Sequence, residues 1–169
     1  MLQDLKKATK RIEDGELRPV RNPERPLNRE ITDEGKSRRV MIIESRVPMQ
    51  DLFRKKLKER GYRVLVFGHP DRAVQRFEDE EDIADCVIFC ASDLGVQALE
   101  AFNQFGANDL TRDIPAILFV DQNQQSLVER ADVARHRVIL SMPIRLRELR
   151  SMLLKLFKAK EKSESSVEA

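Results

Sequence analysis

The chain has no tryptophan, one tyrosine, two cysteines, two histidines and six glycines in 169 residues, and each scarcity excludes something. Two cysteines cannot build a disulfide framework. Cys86 and Cys90 fall in one apolar stretch, roughly 13 Å apart if that stretch is a strand, too far for a disulfide without distortion. They also lack the partner ligands of a zinc site. His69 and His136 are far apart in the sequence, and each is read as a surface or strand-end residue. Excess charge is missing as well: 31 Lys and Arg against 29 Asp and Glu leave +2, with the signs mixed along the chain. The basic footprint of a nucleic-acid binder is absent, so neither DNA nor a membrane surface is the expected partner. The apolar runs are strand-sized, and Met1 opens no signal-peptide pattern. A soluble protein of a reducing, cytoplasmic compartment is the expectation.

What is present falls into three parts. In LQDLKKATKRIEDG, Leu2, Leu5, Ala8 and Ile12 share one narrow helical stripe, and Gly15 stops it. Pro19, Pro23 and Pro26 then sit among alternating charges, so the rest of segment 1–37 reads as a linker that can bury little. Isolated helices this short are marginal in water, so the first one needs a partner. It could dock on the globular part, pair as a short coiled coil or end a larger upstream domain. Residues 160–169 read as a disordered polar tail, leaving 38–159 as the globular part.

Within 38–159 the pattern alternates. RRVMIIE (38–44), YRVLVF (62–67), ADCVIF (84–89), IPAILFV (114–120) and RVILSM (137–142) read as buried strands. Segments 48–61, 70–80, 94–106, 122–134 and 145–160 read as helices, with Pro48 at a start, Gly61 as a stop and Gly106 as a cap. Five strands alternating with five helices give an α/β fold with a parallel sheet, and ligands of such sheets sit at the carboxyl ends of the strands. Those ends carry Glu44 and Ser45, Cys90, Val120 and Asp121, and Met142 followed by Pro143.

At these residues the chain resembles the receiver domain of response regulators (CheY-like). The likeness covers nearly all of 38–159, including the ERGYRV return into the second strand, the IPAIL strand and the MPI step into the last helix. It implies a flavodoxin-like five-stranded sheet of order 2-1-3-4-5 and a cis bond at Met142–Pro143. It also implies what should stand at the strand ends: two acids, a phosphorylated aspartate, a serine or threonine, and a lysine before the proline. Phosphoryl transfer to an aspartate needs a carboxylate-held cation and an in-line carboxylate nucleophile. Here the acid pair is Glu44 and Ser45, the acceptor position is Cys90, the hydroxyl position is Val120 and the lysine position is Met142. The chain therefore reads as a degenerate pseudo-receiver.

A cysteine becomes a nucleophile when a neighbouring cation or base lowers its pKa. The strand ends offer only Glu44, whose charge opposes a thiolate, and no lysine or histidine. Cys90 is thus read as a small buried residue in the space of a lost aspartate, with Met142 as an apolar plug over Cys90 and Val120. Asp93 is the rival acceptor or a cap of the third helix; Asp121 begins a loop or caps the fourth.

The expected function is a phosphorylation-independent interaction module in phosphorelay signalling. It would be neither an enzyme nor a holder of a metal or cofactor. In receivers the fourth helix, fifth strand and fifth helix form the usual output and dimerisation face. Here that face carries Arg130, Arg135, Arg137, Arg145, Arg147 and Arg150, interspersed with Glu129, Asp132 and Glu148. Arginine forks suit a signalling protein partner or a second copy. The alternative is an active receiver phosphorylated at a non-standard residue. A flavodoxin-like small-ligand binder comes third, because ESRVPMQ after the first strand has no glycine-rich or hydroxyl-rich phosphate loop.

Overall fold

The computed structural model describes residues 34–168. The expected amino-terminal helix and most of the proline-rich linker lie outside the described residues. Five parallel strands, β1 (Arg39–Ile43), β2 (Arg63–Phe67), β3 (Cys86–Cys90), β4 (Ala116–Val120) and β5 (Arg137–Ser141), form one sheet of order β2-β1-β3-β4-β5. Among the described residues there are six helices: α1 (Val47–Lys58), α2 (Pro70–Asp79), α3 (Ala91–Leu94), α4 (Val96–Ala107), α5 (Gln125–Arg130) and α6 (Leu146–Glu168). The parallel sheet is the one the alternating pattern predicted, and its order is the one the receiver resemblance implied.

The continuous apolar runs explain the layering. β3 and β4 are buried at all five positions, as a strand covered on both faces must be, whereas the edge strands β2 and β5 are only partly covered. Alternation along the strands sends side chains into two cores. Val40, Ile42, Cys86, Ile88, Cys90, Ile117 and Phe119 pack with α1 and with Leu149, Leu153 and Leu156 of α6. Met41, Ile43, Val87, Phe89, Leu118 and Val120 pack with α2 and α4 on the opposite face. Phe89 sets the second core, its ring edge-on to Phe105 at 5.0 Å and to Phe102 at 5.7 Å. A fully buried side chain of this size stabilises the fold by about 1.5–3 kcal/mol.

Several boundaries differ from the sequence reading, each for a local reason. The expected helix over 94–106 is broken at Gly95, whose φ of 57° and ψ of −127° suit glycine alone, giving the short α3 before α4. Gly106 lies inside α4 rather than after it. The helix expected over 122–134 is only α5, because Asn103 of α4 reaches across to its end. Asn103 Nδ2 donates to the Arg130 carbonyl (3.0 Å), and its Oδ1 accepts from the Asp132 amide (2.8 Å). α6 runs on past residue 160, where a disordered tail was expected, since KAKEKSES contains neither glycine nor proline to stop it. The end of the expected linker belongs to the fold: Arg150 donates to Glu34 through Nε (3.0 Å) and Nη2 (2.7 Å), and Gly35 lies against Tyr62.

The sheet grows outward in opposite directions from β1 and β3, so the order reverses between them. Their carboxyl ends, Glu44 and Cys90, therefore flank the position where ligands of such sheets sit.

Candidate functional site

Glu44 follows β1 and is fully buried. A buried carboxylate needs a counter-charge or hydrogen bonds, and the next loop supplies both. Arg46 donates to Glu44 Oε1 from its side-chain Nε at 2.5 Å and from its backbone amide at 3.1 Å. Gln50, one turn into α1, donates to the Glu44 carbonyl. Pro48 stands in the first turn of α1, where no amide donor is required, and the Arg46 carbonyl accepts the Met49 and Gln50 amides to start the helix. Arg46 is thus both the entry to α1 and the counter-ion of Glu44. Burial works to lower the Arg46 pKa, but the hydrogen bond to Glu44 and the nearby Glu44, Cys90 and Asp121 outweigh it, and the guanidinium is held above its ordinary value.

Cys90 is buried, in the same core as Met142. Burial pushes its thiol well above the usual range, and the charge and hydrogen bonding of Glu44 add to this; the Arg46 guanidinium opposes it with less effect. The thiol stays protonated, and a protonated thiol is neither nucleophile nor metal ligand. A cation does stand close by, contrary to the reading that the strand ends offer none, but it belongs to Glu44.

The remaining strand ends are tied to one another. Ser45 Oγ donates to Asp93 Oδ2 at 2.5 Å, and Ser92 Oγ donates to Asp121 Oδ1 at 2.9 Å. Asp93 is therefore bonded to the β1 loop rather than capping the helix after it, and it is exposed. Asp121 is nearly buried, and Gln124 closes the loop behind it, accepting from the Asp121 amide and donating to the Ala91 carbonyl, both at 2.8 Å. The Met142–Pro143 bond is cis, and the Met142 amide donates to the Val120 carbonyl at 2.7 Å. The Val120 side chain, however, points into the other core. Met142 shares a core with Cys90 and not with Val120, so the expected plug over both is corrected.

A receiver's divalent cation does not fit these residues. Among the described residues, no three His, Cys, Asp or Glu side chains come together to hold a metal ion. The one acid kept from the expected pair already has Arg46 on it.

The arginine face also needs correction. Arg137 is buried: its guanidinium lies 4.0 Å from the Phe102 ring centre, Nε donates to the Asp132 carbonyl at 3.0 Å, and Nη2 donates to the Phe102 carbonyl. Burial lowers its pKa. Arg150 is committed to Glu34. Arg130, Arg135, Arg145 and Arg147 are exposed. Both histidines have structural contacts: His69 Nδ1 accepts the Asp71 amide at 3.2 Å at the start of α2, and His136 Nε2 is 2.6 Å from the Arg112 carbonyl. Arg46 is the strand-end residue that the sequence reading did not single out. Its only signal was a charged residue two places after the acid that ends the first apolar run.

No family model matches the chain, and no curated protein matches it. Solved structures do. The receiver domain of the sensor histidine kinase PA1611 from Pseudomonas aeruginosa PAO1, which has a magnesium ion coordinated in its active-site cleft, aligns at a TM-score of 0.61 and 20% identity over 71% of this chain and 97% of its own. The signal receiver domain of a signal transduction histidine kinase from Syntrophus aciditrophicus aligns at 0.62 and 18% over 72% and 90%. A CheY-like response regulator receiver domain protein from Methanospirillum hungatei JF-1 aligns at 0.60 and 16% over 75% and 98%. Among the described residues, no helix is long and apolar enough to cross a membrane. Strand order, helix placement and these alignments agree: the globular part of this chain has the receiver-domain fold.

Proposed function

We propose that the domain works in two-component-type, cytoplasmic signalling as a protein-interaction module that takes up no phosphoryl group. One observation carries this reading: at the acceptor position stands Cys90, buried, protonated and beside a carboxylate already neutralised by Arg46. Acyl phosphate formation needs an exposed carboxylate nucleophile and a cation over the phosphoryl oxygens. Neither a buried thiol nor an arginine-bound glutamate supplies them. Met142 at the lysine position adds no ammonium to pair with a phosphate. The domain performs no catalysis under this reading, and its output comes from surface contacts. The face made by α5, β5 and the start of α6 is the interaction surface for a signalling protein or a second copy. Exposed Arg130, Arg145 and Arg147 are its contact residues.

A second reading has one observation in its favour. Asp93 is an exposed carboxylate three residues past Cys90, held by Ser45 at 2.5 Å, and it would be the acceptor if the domain were an active receiver.

Intact mass and amide-resolved NMR of the whole chain, after magnesium with acetyl phosphate or beryllofluoride, test both. An unchanged mass and an unmoved spectrum are expected. A mass gain of one phosphoryl group overturns the interaction-module reading, and its loss in Asp93→Asn assigns the acceptor.

A further inference from the structure

We infer that Arg46 is a built-in counter-cation: its guanidinium neutralises Glu44 permanently and closes the strand-end site to divalent metal. The inference deepens the reading above, resting on the absence of phosphoryl uptake and adding what holds the site in one state.

The geometry is specific. Glu44 is fully buried, and the Arg46 side chain is only 16% exposed. Glu44 Oε1 accepts two bonds from the same residue, Nε at 2.5 Å and the backbone amide at 3.1 Å, and Oε2 faces Nη2 at 3.5 Å. Arg46 also feels the charge of Asp121 at the end of β4. The other oxygen-bearing side chains of the β1 and β3 loops are already engaged, Ser45 with Asp93 and Ser92 with Asp121. A magnesium ion demands several oxygen ligands at short range and loses its water reluctantly. To enter, it would have to displace an arginine anchored by its own backbone at the start of α1. A charge supplied by the chain is present whatever the metal concentration, so the loop between β1 and α1 has no unliganded state.

The test compares the full chain, Arg46→Gln and the double variant Glu44→Gln/Arg46→Gln by thermal unfolding with EDTA or with millimolar magnesium. The unsubstituted chain is also followed by NMR line broadening with manganese. The unsubstituted chain is expected to unfold at the same temperature with and without magnesium, and its amides near Glu44 to stay sharp with manganese. Arg46→Gln should unfold about 10 °C lower, because it strands a buried carboxylate, and the double variant should regain much of that loss. A magnesium-dependent rise or manganese broadening in the unsubstituted chain overturns the inference. So does an Arg46→Gln variant no less stable than the double one. The manganese arm needs no variant to fold. Failure of the interaction-module reading would appear instead as phosphoryl mass on the unsubstituted chain.

Discussion

A β-carbon placed on Gly106 would fall 2.5 Å from Cζ of Arg137, closer than two such atoms approach. Glycine inside α4 is there so that the arginine of β5 can lie flat between the helix and the sheet edge, over Phe102. Glycine in a helix interior ordinarily costs about 0.5–1 kcal/mol relative to alanine. Gly106→Ala should reverse the usual sign and destabilise the domain by about 1–3 kcal/mol through overpacking. Urea unfolding checks it; a more stable variant would show that the guanidinium moves aside at no cost.

The arginines of the expected interaction face should separate into two groups. Arg137→Ala removes a buried stack and two bonds to carbonyls that would be left without those donors, and a loss of about 2–4 kcal/mol is expected. Arg145→Ala and Arg147→Ala remove exposed side chains and should change stability by no more than about 0.5 kcal/mol. Only the second pair can test binding cleanly, since a binding loss in Arg137→Ala would be confounded with unfolding. Denaturant midpoints of the three variants, measured side by side, decide it.

Tyr62 gives a pH signature at the alkaline end. Its hydroxyl is buried with no hydrogen-bond partner among the described residues. Burial, helped by the charge of Glu34, pushes the phenol from 10.0 up to about 12. An acid whose folded pKa is raised keeps its proton in the folded state while the unfolded chain loses it. Its contribution is complete below pH 10.0 and is lost as the pH rises through about 12. Tyr62→Phe should be as stable as the parent at neutral pH, or up to about 1 kcal/mol more stable, because the removed hydroxyl is unsatisfied. It should also lack this part of the alkaline decline. An unchanged alkaline limb in the variant would assign the decline to other groups.

The sheet was legible because buried parallel strands are written as apolar runs; VMII, CVIFC and AILFV cannot be surface. The strand-end positions followed from where those runs stop. What stayed hidden depends on contacts between distant residues. Arg46 was not singled out and Arg137 read as part of an exposed face, because an arginine's burial is decided by the acceptors around it, here Glu44 in one case and two carbonyls in the other. The end of α5 is set by Asn103, 27 residues before Arg130, and no local stop signal marks it. Glu34 read as linker because its partner Arg150 is 116 residues away. Val120 was placed with Cys90 by the family likeness, yet strand alternation turns it into the other core.

The last helix reaches farther than the sheet it covers. At about 1.5 Å per residue, its 23 residues span about twice the length of a five-residue strand. Its apolar face is buried as far as Phe157, and Arg38, just before β1, then holds it, lying 4.5 Å from the Phe157 ring centre and bonding Glu161 farther on. An unbroken helix clamped at the base of a sheet is a rigid shaft. Adding one residue beyond the clamp would turn whatever is attached there by about 100° about the axis and advance it by about 1.5 Å, so this domain presents its far end at a set angle as well as a set distance.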